Sequence, residues 1–280
     1  MSPTTSSEGR DRLAPRLRTL CRGGRRLLIP YITAGYPEPA LTLDLMGALV
    51  DAGADVIELG VPFSDPVADG PTIQRSSQRA LERGVTLADV IETLARFRQS
   101  GADTPVVLFT YLNPVLRYDP DRFVRDGLLA GADGVLMTDL PVGADPALER
   151  MLDDSALAHV RLVAPTTPPP RAKAIAATAQ GFLYYISRLG VTGATQRLRD
   201  ELPGEIEALR AVSGVPVAVG FGISTGAQAA AVGSVADGVV VGSALIDAID
   251  RGGPDAAASL LRELRAGLDG AVAGAVSPQG

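Results

Sequence analysis

Apolar residues along this chain fall into two rhythms. Eight short runs are apolar at nearly consecutive positions: LLIPYI (27–32), DVIELG (55–60), PVVLFT (105–110), GVLMTD (134–139), HVRLVA (159–164), GFLYYI (181–186), VPVAV (215–219) and DGVVV (237–241). Unbroken apolar runs of this length, rich in Val and Ile, are the pattern of strands covered on both faces. Between them the apolar positions recur every three or four residues. In TLADVIETLARFR (86–98), Val90, Ile91, Leu94 and Phe97 share one helical face, and Thr86 with Asp89 forms a capping box. The stretches AGADVIEL (52–59) and AGADGVLM (130–137) are near-copies, echoed by VADGVVV (235–241). Each reads as a helix end, a tight turn and a buried strand. Eight strand–helix units with apolar strands predict a single (β/α)8 TIM barrel spanning 1–280 as one domain. A doubly wound open sheet would call for a glycine-rich fingerprint after its first strand, and ITAGYPEP is not one.

The chain ends modify this picture slightly. Residues 1–26 are rich in Ser, Thr and Arg, as transit peptides are. Glu8, Asp11 and the helical recurrence of Leu13, Leu17, Leu20 and Cys21 predict instead a short amphipathic helix capping the domain. Residues 1–10 and 271–280 are expected to be poorly ordered.

Composition narrows the function. A net charge of -6 and a pI near 4.9 do not favour nucleic acid. No apolar run reaches the roughly 18–20 residues needed to span a bilayer. The single cysteine, Cys21, forbids an internal disulfide and fits a reducing cytoplasm.

In a barrel of this kind the active site lies at the C-terminal ends of the strands. The polar candidates there are Thr33, Glu58, Thr110, Tyr111, Asp139, Thr166, Ser187 and the glycines after the last three strands. The one lysine, Lys173, falls within a predicted helix, away from any strand end, which argues against Schiff-base chemistry. The one histidine, His159, opens the fifth strand at the barrel bottom and reads as structural. There is no His cluster for zinc and no Cys–His pair for a nucleophile. Carboxylates alone bind magnesium, which leaves a metal open.

Glu58 is the anomaly: a carboxylate within a buried strand. If Val56 faces the barrel interior, so does Glu58, two residues on. Desolvation would then raise its pKa and make it a general acid/base. The bland readings are a buried Glu paired with Arg188, or a solvent-facing strand end. Asp65 and Asp69 lie in the following loop. Asp65, before Pro66, suits a turn, and Asp69 suits either a turn or a second carboxylate over the same pocket. The segments RLGVTGA, GFGIST and VGSALI bring glycines to the ends of the last three strands, and a helix starts at Ser243. Backbone amides and that helix dipole point to a phosphate site.

These motifs closely resemble the α subunit of tryptophan synthase. The likeness runs from LLIPYITAGYP to VGSALI. It is carried by IELGVPFSDPVADGPTIQ, with YLNPVL, DLP, YYISRLGVTGA and GFGIS in order. The resemblance implies cleavage of indole-3-glycerol phosphate to indole and glyceraldehyde 3-phosphate. It implies Glu58 as the acid/base and Asp69 as the second catalytic carboxylate. Tyr31, Phe109 and Tyr184 would line the indole pocket, with Thr192 and Arg188 in a closing loop. Gly193, Gly222, Gly242 and Ser243 would hold the phosphate. One departure is VGADP after DLP, where acidic residues are common in the family.

The resemblance further implies no cofactor on this chain and a β-subunit partner carrying pyridoxal phosphate (PLP), in an α2β2 assembly. Docking is expected through the loops at 61–71 and 113–119, coupled to a loop at 188–199. A stand-alone lyase, an inactive regulatory homologue and another phosphate-binding barrel remain as alternatives, the last weakened by the signature loop.

Overall fold

The computed structural model of the chain describes residues 11–187, 199–220 and 222–275. Its strands are β1 (Leu27–Thr33), β2 (Ile57–Gly60), β3 (Val106–Thr110), β4 (Gly134–Met137), β5 (Ala158–Val163), β6 (Leu183–Ile186), β7 (Val217–Gly220) and β8 (Gly238–Val241). They pair in parallel, in chain order, and β8 closes on β1. All eight predicted runs thus carry a strand.

The two-residue period decides what fills the barrel. Leu27 and Ile29 of β1, Val107 of β3, Leu136 of β4, Ala158 and Val160 of β5, Ala218 of β7 and Val240 of β8 form an interior cluster with Val56 and Phe182. The intervening residues face the outer helices and belong to a larger cluster. Helix α1 (Leu13–Arg22) closes the bottom: its Leu13 and Leu17 are buried in the interior cluster. Each such leucine contributes roughly 1.5–3 kcal/mol. The Asp11 carboxylate accepts from the amides of Leu13 and Ala14, both at 3.0 Å, and from Gly181 at 2.8 Å. It thereby starts the helix and ties it to the approach to β6.

The repeated Ala-Asp pairs have a mechanical explanation. Asp55 Oδ2 accepts from Leu28 N at 2.9 Å, Asp133 Oδ2 from Val106 N at 2.8 Å, and Asp237 Oδ2 from Val217 N at 2.9 Å. Each aspartate precedes one strand and clamps the start of a neighbouring one. Each also meets an arginine: Arg25 and Arg265 on Asp55, Arg98 on Asp133, Arg210 on Asp237. Three buried or half-buried carboxylates at the barrel bottom are therefore both hydrogen-bonded and charge-paired, the condition under which burial of charge is tolerated.

The outer layer comprises α2 (Thr42–Asp51), α3 (Pro71–Glu82), α4 (Leu87–Gln99), α5 (Leu112–Tyr118), α6 (Pro120–Ala130), α7 (Pro146–Asp154), α8 (Pro169–Thr178), α9 (Leu202–Arg210), α10 (Gly226–Gly233) and α11 (Ser243–Ala275). Helix α4 has the expected Thr86–Asp89 capping box and buries Leu87, Val90, Ile91, Leu94 and Phe97. Helix α11 is broken at Gly252–Gly253, just before Pro254. The expected 113–119 loop is instead largely helix α5. Pro114 sits in its first turn, where a missing N–H breaks no intrahelical bond. Asp139 Oδ1 accepts from Leu112 N at 2.7 Å and anchors the helix start. No described helix is long and apolar enough to cross a membrane.

Candidate active site

The catalytic-end cavity has a volume of about 370 Å³. It is built from inward positions near the ends of one strand after another. Tyr31 of β1 is in register with Glu58 of β2, and Phe109 of β3 closes on Tyr31 edge-to-face, with ring centroids 5.1 Å apart. Leu162 of β5, Tyr184 and Ile186 of β6, and Val240 of β8 complete the apolar wall.

Room for the two tyrosines comes from glycines on neighbouring strands. A Cβ at Gly60 would collide with the Tyr31 hydroxyl, and one at Gly220 with that of Tyr184. Gly60 carries no signal in the sequence analysis, and Gly220 enters it as part of GFGIST, for anion contact; a glycine ending an apolar strand is also a sign of close approach.

Glu58 is 1% exposed, and its Oε1 has no hydrogen-bond partner. Burial alone pushes its pKa up to about 8, with no opposing charge. Among the described residues there is therefore no ion pair at Glu58; Arg188 lies outside them. Asp69 reaches the same cavity from the loop after β2. Burial raises its pKa to about 6, partly opposed by a hydrogen bond from Tyr111, 2.9 Å from hydroxyl to carboxylate. Asp65 is exposed and takes part in a local turn, its carbonyl accepting from Val67 N at 2.9 Å.

The far wall is glycine-lined. Gly222, Gly242 and Ser243 all face the cavity, as do Ser224 and Ala244. Gly222 has φ of 82°, a left-handed backbone that favours glycine. The Gly242 carbonyl accepts from Leu245 and Ile246, so the amides of Ser243 and Ala244 precede the first helical bond of α11. The start of α10 is already occupied: Thr225 caps it, and Glu263 accepts from Gly226 N at 2.9 Å. No Lys, Arg or His lines the cavity among the described residues, while Asp247 does. An anion here would meet backbone N–H groups and a helix dipole rather than a side-chain cation.

The structure thus gathers Tyr31, Glu58, Asp69, Phe109, Tyr184, Gly222, Gly242 and Ser243 around one cavity. Thr192 and Gly193 lie outside the described residues. Tyr111, a strand-end candidate, meets the site through Asp69, and Ile73 is an addition. Tyr111 is legible as a strand-end phenol, whereas Ile73, in the first turn of α3, carries no sequence signal of its own.

A closed parallel barrel with two unpaired carboxylates of raised pKa, facing an apolar pocket and an amide-lined wall, has the equipment of an acid–base enzyme for a small anionic substrate. Comparison with known proteins makes this specific. The family model described as "Tryptophan synthase alpha chain" matches residues 17–270, and the chain belongs to that family. It is similar to the tryptophan synthase alpha chain of Laribacter hongkongensis (strain HLHK9), 50% identical over 262 residues, covering 92% of this chain and 99% of that one. The Xanthomonas campestris pv. campestris (strain B100) alpha chain is 49% identical over 269 residues, covering 94% and 99%. Among solved structures, tryptophan synthase subunit alpha from Legionella pneumophila str. Paris superposes with a TM-score of 0.84 at 39% identity, covering 93% and 99%. The aminoacrylate-bound tryptophan synthase of M. tuberculosis gives 0.83 at 37%, covering 92% and 99%.

Proposed function

We propose that Glu58 and Asp69 carry out the retro-aldol cleavage of indole-3-glycerol phosphate into indole and glyceraldehyde 3-phosphate. The observation that carries this is Glu58 itself: a buried carboxylate without an ion partner, holding its proton to about pH 8, in an apolar cavity shared with Asp69. Breaking the carbon–carbon bond requires a sink for the electron pair. In this reading the indole ring is that sink. Glu58 gives its proton to ring carbon C3, and the ring nitrogen takes up positive charge. Asp69, ionised above about pH 6, accepts the ring N–H and stabilises that charge. A base, Glu58 in its deprotonated form directly or through water, removes the proton from the glycerol hydroxyl. The bond breaks, its electrons return to the ring, and the aldehyde leaves.

Tyr31, Phe109 and Tyr184 hold the indole plane. Gly222, Gly242 and Ser243 cradle the phosphate with backbone amides, and Thr192 and Gly193 belong to the same set by resemblance. Indole then passes to a PLP-dependent β subunit in an α2β2 assembly. Docking on the catalytic face is supported by two exposed apolar side chains at that rim: Val67, 82% exposed, on the Asp69 loop, and Leu116, 50% exposed, on α5.

The test is indole release from indole-3-glycerol phosphate, with and without a cognate β subunit. Slow release that accelerates on adding the partner is expected. Full activity alone, unchanged by the partner, would favour a stand-alone lyase. No release in either case would overturn the reading.

A further inference from the structure

We infer that Tyr111 is a positioning residue for Asp69, its hydroxyl gripping both the carboxylate and the backbone of the loop that carries it. The inference rests on the reading that Asp69 must be ionised to act. Tyr111 follows β3 directly and caps the start of α5 in an extended conformation. It is 2% exposed. Its hydroxyl donates to Asp69 Oδ2 at 2.9 Å and accepts from Ala68 N at 3.1 Å. One phenol thus fixes two successive residues of the loop, using its proton and a lone pair. Its ring lies 5.2 Å from that of Phe63 at the other end of the loop. Phe63 is itself held at both backbone groups by Ser77 of α3, at 2.7 Å from its N and 3.1 Å from its O.

The loop is therefore pinned at its start to α3 and at its carboxylate to β3. Among the described residues Tyr111 is the one hydrogen-bond donor to the Asp69 carboxylate. Among the described residues the other titratable groups at the cavity are Glu58 of β2, Tyr31 of β1, Tyr184 of β6 and Asp247 of α11, none of them cationic. Loss of the phenolic proton would leave the Asp69 anion with no donor in a buried setting, which favours its neutral form. The hydrogen bond accordingly opposes the rise in Asp69's pKa that burial causes.

The experiment is the pH dependence of kcat/KM for indole-3-glycerol phosphate in Tyr111→Phe, Asp69→Asn and the double variant, each assayed with the β subunit. Phe keeps the ring and its packing, and a thermal melt checks the fold. Tyr111→Phe is expected to lose roughly tenfold near pH 6 and progressively less toward pH 7.5, the acid limb moving to higher pH. In the Asp69→Asn background the same change should have no further effect. An unchanged profile in Tyr111→Phe, a loss equal at every pH, or a loss additive with Asp69→Asn would overturn the inference while leaving the role of Asp69 standing. Wild-type cleavage by Asp69→Asn would instead remove the reading beneath it.

Discussion

Asp55 and Glu58 stand three residues apart, one just before β2 and the other within it, and both are buried. Their surroundings differ completely. Asp55 accepts from a strand amide and from two arginines. Among the described residues Glu58 has no charge partner, and its Oε1 has no hydrogen-bond partner. The bottom of the barrel spends its carboxylates on holding strands in register; near the top, Glu58 is left with an oxygen that has no partner among the described residues. Burial without a charge partner keeps the Glu58 proton in place near neutral pH. The same fold thus separates stability and chemistry within three residues of chain.

The sharpest way to test this division is Glu58→Gln. Amide for carboxylate preserves shape and removes the proton, so cleavage should fall by about 10²–10⁴-fold or more, read as indole release. Stability should move the other way. Glu58's folded pKa, about 8, lies above its ordinary 4.5. The native state therefore binds the extra proton between these values, and wild-type stability declines as pH rises from 4.5 through 8. A shift of that size corresponds to roughly 5 kcal/mol at full ionisation. Glu58→Gln lacks this decline, so its advantage in urea melts should widen from pH 5 to pH 8. A variant no more stable than wild type at pH 8 would show that Glu58 is relieved by a partner after all.

Asp55→Ala should show the converse. Removing it takes from the largely buried Arg265 guanidinium its buried carboxylate partner, leaving the more exposed Asp269, and frees the Leu28 amide. Breaking one half of such a pair costs roughly 3–5 kcal/mol. The melting temperature should drop sharply while kcat per folded molecule stays near wild type. A loss of kcat without a loss of stability would erase the distinction between the two ends.

How much of this was legible beforehand follows the same division. The strands were readable because a barrel strand is apolar on both faces, and Glu58 stood out against that background. The Ala-Asp repeats were visible as repeats, but their partners were not: Arg25, Arg98, Arg210 and Arg265 are scattered along the chain, and only folding brings each to its aspartate. Tyr111 was visible at a strand end, while its bond to Asp69 spans 42 residues and depends on loop geometry. The segment 113–119, expected as a loop, is largely helix α5, because a helix accepts proline in its first turn.

A smaller effect separates two glycines of the anion wall. Gly222 is left-handed, so a Val there adds backbone strain of roughly 1–2 kcal/mol to any loss of ligand. Gly242 has no such strain, and a Cβ there would sit 3.6 Å from Ile73, an ordinary contact. Gly242→Val should therefore fold normally and weaken phosphate-bearing ligands selectively, with dephosphorylated substrate losing little further affinity. Gly222→Val should lose both affinity and stability. Equal loss for both forms of the substrate in Gly242→Val would remove the phosphate assignment.

An effect visible only at acid pH belongs to His159, which returns the comparison to the strand beginnings. It is 1% exposed at the start of β5, with Nδ1 3.9 Å from Asp153 and without a hydrogen bond. Burial and the neighbouring Arg161 charge lower its pKa to about 3. A depressed histidine pKa means that the unfolded chain binds more protons between about 3 and 6.5. Its contribution is therefore fully present above pH 6.5 and is lost as pH falls toward 3, amounting to about 2 kcal/mol by pH 5. His159→Gln cannot take up that proton. Its stability should fall less steeply than wild type below pH 6.5, with cleavage unchanged at pH 7.5. The measurement is the difference between the two proteins' urea midpoints from pH 7.5 to 4.5, which cancels the opposite trend from Glu58 present in both. Parallel curves would mean that His159 is charged or solvated in the native state. A change in kcat at pH 7.5 would mean that this end of the barrel reaches the chemistry, and the separation drawn from Asp55 and Glu58 would fail.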